Sequence, residues 1–99
     1  MIFDPITDKL SRAAVLEQLA EECAELAKAA LKLARIDRNE NPTPVTETEA
    51  MDNLIEEIAD VQLCIVVLGA YTGGFDTDNP MREKYFRWID RLNKKAGAT

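Results

Sequence analysis

The chain contains no histidine. That absence removes Ser-His-Asp triads, Cys-His nucleophiles and His-rich zinc sites, and with them the Glu-x-x-His motif of ferritin-like di-iron bundles. Cysteine is scarce: Cys23 and Cys64 both fall in apolar runs and read as small core residues in a reducing compartment, leaving no disulfide framework to stabilise a small fold. Cations are outnumbered, 12 Lys and Arg against 18 Asp and Glu for a formal charge of −6. This argues against a nucleic-acid polymer as partner, because phosphate backbones are held by clustered basic residues. Long apolar runs are missing too. The longest, Val61 to Ala70, is interrupted by Gln62 and falls well short of the roughly 20 residues of a membrane span. Met1 is followed by Ile2, Phe3, Asp4 and Pro5 with no basic segment leading an apolar run, so no secretory signal is expected and a cytoplasmic location is. No Walker-type phosphate loop is present, and Asp76-Thr77-Asp78 is not a calcium loop, since Met81 and Arg87 stand where Gly and Glu are required.

With 99 residues, the chain has interior volume for one domain, and a domain of that size buries so modest a share of its surface that completion by further copies of itself is expected. From Ser11 to about Ile36 it is rich in Ala, Leu, Glu and Lys without Gly or Pro, which predicts a long first helix. At about 100° per residue, Leu16, Leu19, Cys23, Leu26, Ala30 and Ala34 form one apolar stripe, with Glu22 at its edge beside Val15, Ala29 and Leu33. Residues 37–45, carrying Pro42 and Pro44, read as a loop; Asn41-Pro42-Thr43 is no glycosylation sequon because Pro fills the middle position. Thr46 and Glu49 have capping-box spacing, so a second helix is expected to begin there and run to about Leu68 or Ala70. Val61 and Leu63 to Leu68 make its second half apolar almost all round, which predicts enclosure on every side, with Glu57 and Asp60 pointing into protein. Gly69, Gly73 and Gly74 mark a break, and Asn79-Pro80 reads as an N-cap with Pro at the first helical position. The third helix then runs to about Lys94 or Lys95, with Gly97 as a stop and Met81, Tyr85, Trp88, Ile89 and Leu92 at helical spacing. The expected fold is all-α, a bundle of three to four helices.

Two acidic pairs repeat one spacing: Glu22 with Glu25, and Glu57 with Asp60. Residues three apart on a helix share a face, with Cβ atoms about 5–6 Å apart, so each helix projects two carboxylates. Glu21 with Glu25 and Glu56 with Asp60 share faces at four-residue spacing as well, and periodicity does not choose between the sets. Four acids without nitrogen or thiolate ligands suit Mg²⁺, with Mn²⁺ as its substitute. Two such ions about 3.5–4 Å apart can hold a phosphate chain and activate a water, which points to hydrolysis of a phosphoanhydride.

The segments Leu19-Ala20-Glu21-Glu22-Cys23-Ala24-Glu25-Leu26 and Leu54-Ile55-Glu56-Glu57-Ile58-Ala59-Asp60-Val61 resemble the paired Glu-x-x-Glu and Glu-x-x-Asp signature of the MazG-like nucleoside triphosphate pyrophosphohydrolases. The resemblance implies an all-α, dimeric or tetrameric, Mg²⁺-dependent enzyme that splits nucleoside triphosphates into monophosphate and diphosphate, with Glu22, Glu25, Glu57 and Asp60 as metal ligands. Many relatives carry Gly where this chain has Ala24 and Ala59. Lys28, Lys32 and Asn53 lie within a turn or two of the motif residues and are candidates for phosphate contact, although both lysines also read as surface partners of Glu25. Trp88, Tyr85 and Tyr71 are candidates for stacking on a base, or as core and interface residues. Two other readings stand beside the first: a non-catalytic helical interaction module, and a relative of phosphoribosyl-ATP pyrophosphohydrolase.

Overall fold

The structure, a computed structural model, describes residues 2–40 and 44–97. It contains α1 (Asp4–Thr7), α2 (Arg12–Asp37), α3 (Glu47–Gly69) and α4 (Asp78–Gly97). No strand occurs among the described residues, and the fold is all-α. Asn41, Pro42 and Thr43, in the expected loop, lie outside the described residues.

Local chemistry sets the helix ends. The Ser11 hydroxyl accepts from the Ala14 N–H at 3.1 Å and starts α2, and the Thr46 hydroxyl accepts from the Glu49 N–H at 3.1 Å and starts α3, each satisfying a donor that the first turn leaves without a helical partner. The α2 terminus is a Schellman turn: Asn39 takes φ 54°, its N–H donates to Ile36 O at 3.0 Å and that of Glu40 to Arg35 O at 2.9 Å. After α3, Gly73 and Gly74 hold φ of 86° and 105°, and Gly74 N–H returns to Gly69 O at 2.8 Å. Two expectations shift by a residue or two. Helix α4 begins at Asp78, whose N–H donates to the Asp76 carboxylate at 3.1 Å, so Asn79 lies inside the first turn and is not the cap. Gly97 is the last helical residue and not a stop beyond it.

The only extensive interhelical packing among the described residues is α2 against α3. The pair is antiparallel, since Val15 at the start of α2 clusters with Val67 and Leu68 at the end of α3, beneath Phe3, Ile6, Leu19 and Tyr71. The Tyr71 hydroxyl donates to the Leu10 carbonyl. Tyr71 is thus a half-buried strut between the α3 terminus and the start of α2, not a surface for a base.

The buried seam of α2 is not the stripe expected from the sequence. Val15, Ala29 and Leu33 are buried, whereas Leu16, Cys23 and Ala30 are exposed. Positions 15, 19, 22, 26, 29 and 33 make the seam, and positions 50, 54, 57, 61, 64 and 68 make its counterpart on α3; all twelve are buried or half-buried. Spacings alternating four and three are the signature of helices packed at small crossing angles. A period of 3.5 instead of 3.6 moves the seam by some tens of degrees over four turns, enough to put Glu22 on it instead of beside it.

The second half of α3 is not enclosed. Leu63, Ile65 and Val66 are 52%, 41% and 52% exposed, because α2 covers one face and no other described element packs extensively on the rest. Helix α4 packs only marginally on the rest and has no buried described residue. The radius of gyration is accordingly 17.8 Å, against about 13 Å for a compact chain of this length.

Candidate metal centre between α2 and α3

Glu22 and Glu57 each take the third position of a six-residue seam that is otherwise apolar, and Asp60 stands one turn beyond Glu57 on the solvent flank. One carboxylate oxygen from each of these three lies within 4.8 Å of the others. Glu22 and Glu57 are half-buried and Asp60 is exposed, so the expectation that Asp60 points into protein does not hold. Oε2 of Glu57 is buried without a hydrogen-bond partner. Glu22 Oε1 accepts from the Gln18 side-chain amide at 2.8 Å, which fixes that carboxylate from the turn before it.

The electrostatics follow from the placement. Burial, and after it the negative charge of Asp60, Glu22, Glu25 and Glu56, raises the Glu57 carboxyl above its ordinary value. Burial, then Glu22, Asp60 and Cys23, raises the Cys64 thiol likewise. An oxygen denied both water and a donor, amid like charges, calls for a cation or a proton. The donor set is oxygen only, as a hard cation requires, and oxygens on opposite sides of one Mg²⁺ stand about 4.2 Å apart. The trio is therefore near ligand spacing without a backbone rearrangement.

The structure does not bring the other candidates to the same point. Glu25 lies outside the trio, its carboxylate 3.3 Å from Lys28 Nζ, with both side chains more than half exposed. Such a pair contributes about 0–1 kcal/mol and is easily exchanged. Lys28 is thus the surface partner of Glu25. Lys32 and Asn53 are half-buried on α2 and α3. Trp88 and Tyr85 lie on α4, 62% and 58% exposed, with Tyr85 edge-on to Phe86 at 5.4 Å between ring centroids; neither belongs to a core. Cys23 is exposed and Cys64 half-buried, so neither is a full core residue. Glu21 and Glu56, the alternatives at four-residue spacing, are exposed and outside the trio. The signal that separates the two sets is the seam's seven-residue repeat, on which Glu22 and Glu57 lie and Glu21 and Glu56 do not.

Among the described residues no helix is long and apolar enough to cross a membrane. The family model described as the MazG nucleotide pyrophosphohydrolase domain matches residues 10–94. No curated protein and no solved structure matches the chain significantly.

Proposed function

The chain belongs to the MazG nucleotide pyrophosphohydrolase family, and from that premise we propose that it is a Mg²⁺-dependent hydrolase converting a nucleoside triphosphate and water into the monophosphate and diphosphate, clearing nucleotides in the cytoplasm as a dimer or tetramer. One observation carries the reading: the buried, partnerless Oε2 of Glu57 inside a three-carboxylate cluster spanning two helices. Solvated helix faces also carry acids three apart, but they do not strand an oxygen in a helix seam.

Glu22, Glu57 and Asp60 are the residues that would hold the ion, and Glu25, one turn from Glu22, would be the fourth if it turned from Lys28. When bound, Mg²⁺ would supply charge neutralisation for the phosphate chain, polarisation of phosphorus and acidification of the attacking water. The protein's own groups have separate tasks. Gln18 holds Glu22 in one orientation, and outer contacts of this kind sustain metal affinity by about 10–100-fold. Burial and its acidic neighbours make Glu57 keep its proton to higher pH than an ordinary carboxyl, and a bound cation would favour its ionised form. Lys28, freed from Glu25, and Lys32 lie along α2 from the ligands and attract the triphosphate, while Asn53 offers an amide one turn before Glu57. Without a cation the clustered carboxylates repel a triphosphate.

The test is diphosphate release from each common ribo- and deoxyribonucleoside triphosphate, and from phosphoribosyl-ATP, with and without Mg²⁺. The proposal expects Mg²⁺-dependent release from at least one substrate, abolished in Glu57→Gln and Asp60→Asn. A chain that binds no Mg²⁺ and releases nothing is a non-catalytic helical module.

A further inference from the structure

Half of the cations of this acidic chain sit on the helix that packs on almost nothing. Helix α4 carries Arg82, Lys84, Arg87, Arg91, Lys94 and Lys95, six of 12 Lys and Arg, against Asp78, Glu83 and Asp90. Helix α3 carries Glu47, Glu49, Asp52, Glu56, Glu57 and Asp60 and no cation. Charge is therefore segregated between a helix with one free side and a helix that packs only marginally on the other described elements.

Each also exposes an apolar arc. At about 100° per residue, Met81, Tyr85, Trp88 and Leu92 fall on one side of α4, between 54% and 62% exposed, and Lys84, Arg87, Arg91 and Lys95 fall on the arc beside them. An open concavity of about 890 Å³ runs along this mixed face; a single helix cannot enclose a small ligand, so it is a face for another element. On α3, Met51, Ile55, Ile58, Ile65 and Val66 form an arc between 38% and 57% exposed, flanked by the exposed acids Glu49, Asp52, Glu56 and Asp60. One helix pairs an apolar stripe with cations, and the other pairs an apolar stripe with anions. Contiguous exposed apolar surface of this kind marks an interaction site, and complementary charge selects the partner.

We infer that the occupant is a second copy of this chain: α4 of one protomer lies along the outward face of α3 of another, with its Arg87 and Arg91 stripe over the Asp52 and Glu56 stripe, and the exchange is reciprocal. It specifies the surface through which the proposed oligomer forms and does not depend on the proposed catalysis. Two chains that exchange α4 cover the exposed apolar arcs of both α3 helices, which no described element of either chain packs on extensively.

The experiment is sedimentation equilibrium on two charge-reversed chains, Arg87→Glu with Arg91→Glu, and Asp52→Lys with Glu56→Lys, with helical content checked by circular dichroism. Neither nucleotide nor metal enters the readout, so inactivity toward nucleotides leaves the outcome unaffected. The unaltered chain self-associates; each reversed chain alone has its dissociation constant raised by about tenfold or more, as like charges facing one another require. Mixing the two reversed chains in equal amounts restores association, because in the mixed pair each altered stripe again faces its opposite. An unaltered chain that stays monomeric overturns the inference, as does self-association indifferent to both reversals. So does recovery only when all four substitutions share one chain, which would mean that α4 folds back on its own α3.

Discussion

Replacing Glu57 by Gln removes one negative charge from a cluster whose oxygens lie within 4.8 Å of one another, at the atom that is buried without a partner. The folded-state carboxyl of Glu57 is raised from 4.5 by burial first and its acidic neighbours second. Between 4.5 and that higher value the unfolded chain has already lost a proton that the folded chain keeps, so metal-free stability falls as pH rises across this window. The Gln variant lacks this loss and, above the window, is as stable as the unaltered protein or more so. A cation reverses the sign for the unaltered protein. Mg²⁺ binding displaces the Glu57 proton, and affinity for the ion rises by up to about tenfold per pH unit while that proton remains. At Mg²⁺ a hundredfold above its dissociation constant, the gain in stability is about 2.7 kcal/mol, which raises the melting temperature of a domain this size by on the order of 10–20 °C. Thermal unfolding of both proteins, with EDTA and with Mg²⁺, at several pH values from 4 upward reads all of these effects. A Glu57→Gln protein that is the less stable of the two in EDTA at neutral pH, and that still gains the same shift from Mg²⁺, would rule out Glu57 as the buried ligand.

Other outcomes follow from particular contacts. A thiol reagent labels exposed Cys23 well before Cys64, whose thiol is half-buried and raised by burial and by Glu22 and Asp60; equal labelling rates in the native state would contradict this placement. Thr46→Ala removes the oxygen that accepts from the Glu49 N–H and lowers stability by about 1 kcal/mol, read as a reduced denaturation midpoint with an unchanged slope. At Gly74 a Cβ meets nothing within 4 Å, but φ is +105°, so Gly74→Ala lowers stability through backbone strain alone, by about 1–3 kcal/mol. Asp60→Asn weakens Mg²⁺ binding more than Glu25→Gln does in calorimetric titration, because Asp60 already stands in the trio and Glu25 must first leave Lys28.

The three long helices and the all-α class were legible from the sequence because composition, caps and breakers agree along α2, α3 and α4. The Thr46 cap could be read from one residue pair. The α2 face could not, since a 3.6-residue wheel misplaces a seam of period 3.5, and Leu16, Cys23 and Ala30 are apolar whichever side they face. The short α1 carries no periodicity to detect. Apolar content alone makes α3 read as enclosed, but among the described elements only α2 packs extensively on it. At the site, spacing identified both acidic pairs but could not show that Glu22, Glu57 and Asp60 converge while Glu25 turns to Lys28. That convergence depends on the register of α2 against α3, a tertiary property. The Gln18 contact to Glu22 was open to discovery from four-residue spacing, yet that pattern is too common on helices to single out.

Glu22, Glu57 and Asp60 are proposed to take one divalent cation between α2 and α3. Anomalous diffraction from crystals grown with Mn²⁺ tests this most directly. A peak is expected at coordinating distance from carboxylate oxygens of all three residues, lost in Glu57→Gln; a fully occupied ion bound elsewhere, with no peak at this trio, would rule the site out.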